Sequence, residues 1–276
     1  ISQVEQNYYI GSSVYNYGSM DQLNVVSNGD FNGPTTISSS ASSTIIESDS
    51  TKSIESLNPV SLSVGNYTGS VTVTSMGDTL GSGNFDDNTF LRNFEITNDI
   101  YSLDGLGNHP AGYEAIGSLG SNSWSDASDG LVCGTYYPIK QEEILNSVRA
   151  YITSSTMAQS EVILYILDSL SFTSGLFSNS IFTSELYTVT AQDVNNGYME
   201  IPVANNIGWD PINNISTWEN VTLGIGSYYA AIELYSGGNT YDIRILDDNT
   251  VGQPAWSSAI WYPGDQAYSN GNAFAI

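Results

Sequence analysis

The chain has 276 residues, 40% of them hydrophobic, which is long enough for two ordinary domains with packed cores. Its 29 Asp and Glu outnumber 5 Lys and Arg, and the net charge of −24 repels phosphates and anionic lipid headgroups. We therefore expect no nucleic acid among its partners. No apolar run approaches the ~18 residues of a membrane-spanning helix, so we expect no membrane insertion either.

The composition favours a β protein without internal disulfides. Nineteen tyrosines and 26 glycines, with abundant Ser, Thr, Asn and Val, favour strands and turns over helices. The single cysteine, Cys133, excludes a disulfide within the chain, and its apolar neighbours predict a buried core residue rather than a reactive thiol. Because the chain opens without a start methionine or a signal peptide, we expect a fragment of a longer polypeptide.

Alternating apolar and polar residues predict short strands through the first hundred residues. The pattern is clearest over residues 67–74, where apolar side chains and glycine alternate with Thr and Ser. Phe90, Phe94 and Ile96 share one parity, which predicts a strand that completes a small β-sandwich. Other strands are predicted at residues 8–14, 23–31 and 44–51.

The residues after 135 predict a second, larger sandwich. Residues 162–167 are apolar on both faces, as expected of a central strand. Asn195-Asn196-Gly197 predicts a hairpin turn, and the one helix candidate, residues 141–146, is too short to be stable alone. About eight to ten short strands at regular spacing predict a sandwich of jelly-roll type. Further strands are predicted at residues 148–152, 182–189, 199–203, 221–225, 228–235, 241–246, 258–262 and 273–276.

The boundary between the two sandwiches follows the turn at Asn98-Asp99. A Gly/Ser/Asn-rich passage then runs from residue 105 to 135, and its aromatics favour ordered loops and short strands over disorder. The sequence thus predicts an all-β protein with an Ig-like β-sandwich at residues 1–102 and a larger, jelly-roll-like β-sandwich at residues 103–276.

Two sets of segments carry a family resemblance. The first set is Asn7–Ser19, Ser43–Leu57, Gly65–Ser75 and Asp86–Gly105, and the second is Ser160–Asp168, Gly226–Gly238 and Tyr268–Ile276. The first set resembles the CARDB-like, immunoglobulin-type modules of Bacteroidetes surface proteins. The second set is similar to the jelly-roll-like domain that follows such modules in proteins exported by the type IX secretion system.

The resemblance implies an extracellular or cell-surface protein that meets the type IX machinery during export, with a sorting domain further along the polypeptide. Bacteroidetes O-glycosylation is associated with Asp, then Ser or Thr, then an apolar residue or Thr. Three positions fit this pattern and are candidate glycosylation sites, although such short motifs also arise by chance: Ser50, Thr79 and Ser169.

Calcium is the most plausible ion, because hard cations require several oxygen ligands and acidic turns follow or precede several strands. None of these turns has EF-hand spacing, and solvated turn carboxylates that discourage edge aggregation are the alternative reading. The candidate calcium ligands are Asp86, Asp87, Asp99, Asp104, Asp247 and Asp248.

The sequence shows no assembled catalytic set. The only histidine is His109, and the sequence contains no nucleophile elbow of the Gly-x-Ser-x-Gly type that could supply its catalytic partner. We therefore predict that His109 is a loop residue. Glu185, Glu200 and Glu233 lie on predicted strands, but strand parity places Glu200 and Glu233 outward rather than facing each other as glycoside hydrolysis requires. We therefore expect no enzymatic activity.

Aromatics near strand ends are candidates for stacking on sugar rings, although most aromatics of β-sandwiches lie in the core. The candidates are the pair Tyr136-Tyr137, the single residues Trp209, Trp218 and Trp256, and the pair Trp261-Tyr262.

The sequence is compatible with two functions. The first is a non-enzymatic adhesion, stalk or filament module of a secreted or cell-surface bacterial protein, with surface glycans or other surface proteins as partners. The second is a carbohydrate-binding module or accessory domain of a secreted glycoside hydrolase. Glycan binding and turnover measurements discriminate between them.

Overall fold

The computed structural model describes residues 1–4, 7–77, 88–122, 129–250 and 253–276. Nearly all of its regular structure is antiparallel strand, which confirms the all-β fold class. The chain forms two compact units. The N-terminal unit comprises Ser2–Tyr101 and Gly107–Tyr113, and the C-terminal unit comprises Ile1, Ser102–Leu106 and Glu114–Ile276. The segment Gly107–Tyr113, which the sequence placed in the second sandwich, therefore belongs to the first unit.

The N-terminal unit is an Ig-like sandwich of two antiparallel sheets. A four-stranded sheet has the order β3-β2-β5-β6, and β1 pairs with β4 in a two-stranded sheet. Its strands are β1 (Gly11–Asn16), β2 (Gln22–Asn32), β3 (Ile37–Ile46), β4 (Ser50–Glu55), β5 (Gly65–Thr74) and β6 (Thr89–Ile96). The strand predicted at residues 44–51 was wrong, because a turn with Asp49 at a φ of 56° separates β3 from β4.

Alternate residues of these strands fill the space between the two sheets. Val25 of β2 and Ile46 of β3 pack with Ile54 of β4, and each is buried. A second cluster centres on Tyr67 of β5, whose ring stacks on Phe94 of β6 with centroids 4.9 Å apart. The period-two pattern in the sequence identified Tyr67, Phe94 and Ile96 of this core, whereas Leu23 and Phe90, which it also marked, are 47% and 38% exposed.

The C-terminal unit contains more strands and two short helices. Its elements are β7 (Ile116–Gly120), β8 (Leu131–Ile139), β9 (Glu143–Leu145), β10 (Ser147–Tyr151), β11 (Glu161–Asp168), α1 (Ser169–Thr173), a 3-10 turn (Phe177–Asn179), β12 (Phe182–Thr183), β13 (Tyr187–Thr188), α2 (Ala191–Asn196), β14 (Tyr198–Pro202), β15 (Ala204–Asp210), β16 (Ile215–Leu223), β17 (Gly226–Tyr235), β18 (Arg244–Asp248), β19 (Ser258–Trp261), β20 (Ala267–Asn270) and β21 (Ala273–Phe274).

A seven-stranded sheet organises this jelly-roll-like unit, with the order β12-β11-β17-β8-β19-β20 and β13 beside β11. Its inner face meets the β21-β18-β7 sheet, where Thr135 of β8 donates to the carbonyl of Phe274 at 3.2 Å. Its outer face is covered by α1, whose Phe172 packs on Tyr229 of β17. Because both faces are covered, residues 162–167 of β11 carry large apolar or aromatic side chains on both faces, as the sequence predicted.

Both helices escaped the sequence prediction. Asn195-Asn196-Gly197 was predicted as a hairpin turn, but it ends α2, and Gly197 takes the left-handed C-cap conformation with a φ of 76°. Thr190 and Asp193 form a capping box at the other end of α2, which is a readable helix signal. The helix candidate at residues 141–146 instead contains strand β9, because its backbone pairs with β16.

Cys133 is buried in β8, as predicted, and burial raises the pKa of its thiol well above the usual range. A thiol held in that state is a weak nucleophile, which agrees with a packing role. Among the described residues, no helix has the length and apolar character needed to cross a bilayer.

Candidate functional site

The C-terminal unit carries an open groove of about 430 Å³ on the α1 side of the seven-stranded sheet. Aromatic rings form much of its wall, and hydroxyl groups lie among them. This combination of apolar surface with a few polar groups is typical of small-molecule sites. The lining residues are Tyr136, Ser169, Leu170, Thr173, Tyr229, Ala255, Trp256 and Ser257.

Trp256 occupies an unfavourable backbone conformation at the edge of the groove. It is the third residue of a turn closed by the Ser257 N–H donating to the Pro254 carbonyl at 3.0 Å, and its φ is 71°. Glycine or asparagine normally fills such a position, and a bulky residue there costs about 1–3 kcal/mol. The turn nonetheless holds the indole 42% exposed. Strain of this kind recurs at binding sites.

Two hydrogen bonds fix the strained residue. The Trp256 N–H donates to Ser269 Oγ at 3.0 Å, and the Tyr229 hydroxyl donates to the Trp256 carbonyl. Burial, followed by the neighbouring Tyr136, raises the pKa of Tyr229 to about 12. The Tyr229 hydroxyl therefore keeps its proton, and this donor remains in place throughout the neutral range.

A ladder of rings supports the groove from below. Phe172 stacks on Tyr229 with centroids 4.2 Å apart and planes 18° apart. Tyr136 meets Tyr229 edge-on at 5.5 Å, and its hydroxyl donates to Ser227 Oγ at 2.7 Å. Stacked and edge-on pairs of this kind restrict ring motion. The groove is therefore preorganised rather than formed on binding.

Ser169, a predicted glycosylation site, lies on the rim of this groove. The preceding Asp168 is the N-cap of α1 and accepts the Ser171 N–H at 2.9 Å and the Ser171 hydroxyl at 2.7 Å. These bonds hold the pKa of Asp168 below its usual value. The Asp-Ser-Leu motif thus has a structural role as a helix start.

The other glycosylation candidates lie in the N-terminal unit. Ser50 begins β4 after the turn at Asp49, and its hydroxyl donates to the Glu47 carbonyl at 2.6 Å. Its side chain is half-buried rather than fully open. Thr79 lies outside the described residues.

The predicted tryptophans fall into three different environments. Trp256 lines the groove. Trp209 and Trp218 lie on the β15–β16 hairpin and are 57% and 53% exposed. Trp261 instead packs edge-on against Phe177 at 5.8 Å, within the apolar cluster on the outer face. The structure thus gives Trp261 a packing role in place of the predicted ligand contact.

Two of the predicted calcium ligands come together in the C-terminal unit. Asp248 accepts the backbone N–H groups of Gly105 and Thr250, each at 2.8 Å. Asp104 accepts the Leu106 N–H at 3.1 Å and the Ser102 hydroxyl. Burial raises the pKa of Asp104, and the nearby negative charge of Asp248 adds to that effect. Internal donors therefore already occupy these carboxylate oxygens.

The remaining predicted ligands are dispersed. Asp247 is buried on β18, where Oδ2 accepts from Asn272 at 3.2 Å and Oδ1 has no hydrogen-bond partner among the described residues. Asp99 is exposed in the N-terminal unit. Asp86 and Asp87 lie outside the described residues. Within the described ranges, no group of three or more His, Cys, Asp or Glu side chains is placed to hold a metal ion.

We expect Asp104→Asn to change how stability depends on pH. Burial raises the folded-state pKa of Asp104, so its contribution is fully present below the unfolded-state pKa of about 3.9 and is lost as pH rises through the folded-state value. The variant should therefore gain stability relative to the parent protein as pH rises from acid to neutral. Urea unfolding of the C-terminal unit at several pH values measures this difference, and a pH-independent difference would contradict it.

The strand carboxylates considered for hydrolysis serve other contacts. Glu200 accepts from Arg149 at 2.8 Å and from Ser147 at 2.9 Å, and the Arg149 bond lowers its pKa. Glu233 accepts the Tyr165 hydroxyl at 2.7 Å on the outer face of the seven-stranded sheet. Glu185 is exposed. Glu200 therefore points outward, as strand parity predicted.

Part of the groove was not predicted from the sequence. Trp256 and Tyr136 were candidates, but Tyr229, Leu170 and Thr173 were not. Tyr229 looked like one more strand residue, since its role depends on a hydrogen bond to a residue 27 positions away. A bulky aromatic two residues after Pro254 was the one local signal of a strained turn.

Comparison with known proteins assigns no family. No family model matches the chain, and no curated protein matches it. Two solved structures of a clostridial surface protein are similar in part. One is the clostridial cysteine protease Cwp84 after propeptide cleavage, at TM-score 0.35 and 10% identity, covering 91% of this chain and 64% of that one.

The other contains the cysteine protease and lectin-like domains of Cwp84, a surface layer associated protein of Clostridium difficile. The TM-score is 0.33 at 10% identity, with 92% of this chain and 57% of that chain covered. This chain thus spans less than two thirds of either structure. Similarity at this level does not establish a shared fold family or activity.

Proposed function

We propose that this chain is a non-enzymatic module of a secreted or cell-surface bacterial protein, and that it acts in adhesion by holding a sugar ring against Trp256. The strained Trp256 turn is the observation that carries this proposal. A glycine would adopt this turn without strain, so the backbone conformation does not explain a tryptophan that is 42% exposed. Ligand contact supplies a reason for the residue.

The groove has the chemistry of a neutral sugar site. An indole face packs against the apolar face of a pyranose ring. The lining also contains the Ser169 hydroxyl, and the hydroxyl oxygens of Tyr136 and Thr173, which donate their own protons within the chain, can accept hydrogen bonds from sugar hydroxyls. The chain's net charge of −24 disfavours anionic sugars. A neutral glycan is therefore the ligand class that the groove supports best.

Trp256→Asn should weaken glycan binding in the groove while preserving the fold. Asparagine tolerates a positive φ, so we expect the free energy of unfolding to change by no more than about 1 kcal/mol. Loss of a central aromatic anchor should weaken binding by at least tenfold, or about 1.4 kcal/mol. Urea unfolding measures the free energy of unfolding of parent and variant, and a neutral-glycan array followed by calorimetric titration of the best ligand measures binding.

The matched control is Tyr9→Ala, which removes an aromatic that is 48% exposed in the N-terminal unit. It should bind as the parent protein does. An array without signal for the parent protein, or equal binding by Trp256→Asn, would overturn the proposed function. Catalytic turnover of a bound glycan would overturn its non-enzymatic part.

Two further parts of this proposal rest on the sequence resemblance, namely export by the type IX secretion system and O-glycosylation at Ser50, Thr79 or Ser169. A third part, calcium binding at the acidic turns, rests on the acidic residues themselves. A sugar attached to Ser169 would occupy the groove rim, so glycosylation there and capture of an external glycan exclude each other. Intact-mass spectrometry tests O-glycosylation. Unfolding midpoints measured with and without added calcium test whether the ion binds.

A second function, an accessory carbohydrate-binding module of a secreted glycoside hydrolase, is favoured by the same groove. It differs in its setting, because the ligand would be the substrate of a linked catalytic domain. Binding to the polysaccharide that such a domain degrades, and not to cell-surface glycans, would support this second function.

A further inference from the structure

The β15–β16 hairpin presents an unusual concentration of exposed apolar side chains. Trp209 and Trp218 are more than half exposed, as are three isoleucines in or beside the same two strands. Neither tryptophan ring contacts another aromatic side chain within the described part of the chain. The isoleucines are Ile207, Ile212 and Ile215, which are 58%, 91% and 56% exposed.

Strand register places the two tryptophans on one face. Asn206 lies opposite Trp218 and Trp209 lies opposite Ser216, and directly opposed residues of an antiparallel pair share a face. Ser216 and Trp218 are two apart on β16 and therefore share that face too. Trp209 and Trp218 are thus diagonal neighbours, whose backbones are about 7–8 Å apart.

A β-bulge is responsible for this arrangement. The register shifts between Asn206 and Gly208, so that Ile207 is the extra residue. In an unbroken ladder Trp209 would lie opposite Ile215, on the face away from Trp218. Asn206 Oδ1 accepts the Gly208 N–H at 3.1 Å and braces the bulge. Bulges commonly re-aim a side chain in this way.

The tryptophan face carries no charge, although the protein has a net charge of −24. By the same register, both acidic residues of the two strands, Asp210 and Glu219, lie on the opposite face. Asp210 is also engaged with the tip turn, where it accepts the Ile212 N–H at 2.9 Å. The tryptophan face consists of Ala204, Asn206, Trp209, Ser216, Trp218 and Asn220.

The charge and the side chains of this face indicate which class of ligand it binds. A polyanion is repelled by the surrounding charge, and a cationic partner finds no carboxylate on this face. Two separate indoles, with amide and hydroxyl groups between and beside them, match an extended polymer that alternates apolar ring faces with hydroxyls. Uncharged polysaccharide has this character. The isoleucines at the tip lie beside the face but are not needed for such contacts.

We propose that the Trp209–Trp218 face is a second binding site, which takes a neutral polysaccharide strand whose rings stack on the two indoles. The ligand class follows the proposed function, while the site is separate from the Trp256 groove and stands on its own observations.

The decisive variant moves one indole to the other face without changing composition. Gly208→Trp combined with Trp209→Gly should lower affinity at least tenfold, because Gly208 faces away from Trp218. A Cβ built at Gly208 meets no atom within 4 Å, and the neighbouring residues Ile207 and Trp209 are more than half exposed, so we expect the hairpin to accept the substitution. Affinity electrophoresis through gels containing xyloglucan, mannan, dextran or a soluble β-glucan measures retardation. Trp209→Ala and Trp218→Ala should each lose at least tenfold.

Ile207→Ala and Ile212→Ala are the matched controls and should bind within twofold of the parent protein. Equal retardation of the swapped and parent proteins, or no retardation by any of the four polymers, would overturn the inference. If Trp256→Asn alone abolishes retardation, this second site is refuted while the proposed function stands.

Two other occupants are tested in parallel. Flotation with neutral phosphatidylcholine vesicles that requires Ile212 would assign the hairpin to a lipid surface instead. Sedimentation velocity that shows a dimer lost on Trp209→Ala would assign it to a second copy of the chain. The proposal expects no flotation and no such dimer.

Discussion

Tyr67→Ala should destabilise the N-terminal unit by about 3–5 kcal/mol, the usual cost of deleting a fully buried aromatic. The Tyr67 side chain is 0% exposed, and its ring stacks on Phe94. Its hydroxyl accepts the Ser63 N–H at 2.9 Å, donates to the Ser63 carbonyl at 3.0 Å and shares a hydrogen bond with Thr35 Oγ1 at 2.8 Å. This loss is a large fraction of the stability of a small domain.

The two units can be followed separately, because the four tryptophans that the structure describes all lie in the C-terminal unit. In urea, the variant's far-ultraviolet circular dichroism should show an early transition that tryptophan fluorescence does not report. Tyr67→Phe keeps the ring and removes only the hydroxyl, so it should cost about 1–3 kcal/mol. Coincident transitions for Tyr67→Ala and the parent protein would contradict the assigned role of Tyr67.

Phe172→Ala should destabilise the C-terminal unit by a similar amount, about 3–5 kcal/mol. Phe172 is the buried anchor of α1, with 0% exposure, and it stacks on Tyr229. Gly134 lies beneath it so closely that a Cβ there would be 2.9 Å from the ring. Removing the ring leaves a cavity that the neighbouring sheet backbone cannot close.

Tryptophan fluorescence in urea measures this effect directly. The fluorescence midpoint of the C-terminal unit should fall, while the circular dichroism transition of the N-terminal unit should stay at the same urea concentration. Leu170→Ala is the control on the same helix. Its side chain is 72% exposed, so its free energy of unfolding should change by no more than about 0.5 kcal/mol. A larger loss of stability for Leu170→Ala than for Phe172→Ala would show that Phe172 does not anchor α1.

Phe172→Ala also tests whether packing beneath the groove affects glycan binding. Tyr229 donates to the Trp256 carbonyl, so the hydrogen bond that fixes the strained turn depends on a ring supported by Phe172. Glycan binding by Phe172→Ala, measured where the variant is still folded, should therefore weaken together with stability. Two sites in one unit would also allow avidity for a polymer that spans both, without new contacts.

Local sequence patterns determined the fold class of this protein. Alternation over β5 and the two-sided apolar run of β11 are set by the period of a strand, which neighbouring residues alone define. The same reasoning identified Cys133 as a core residue and Glu200 as outward. It failed at α2, where a capping box and a left-handed glycine outweighed the turn signal of Asn196-Gly197.

The tertiary structure alone decided which aromatics could act together. The sequence did not distinguish among Trp209, Trp218, Trp256 and Trp261. In the structure, Trp261 packs against the apolar cluster of the outer face, Trp256 lines the groove, and the other two share one face of a hairpin. These outcomes depend on a bulge, a strained turn and a hydrogen bond between distant residues. Such features arise from pairing across the chain, and no short-range pattern encodes them.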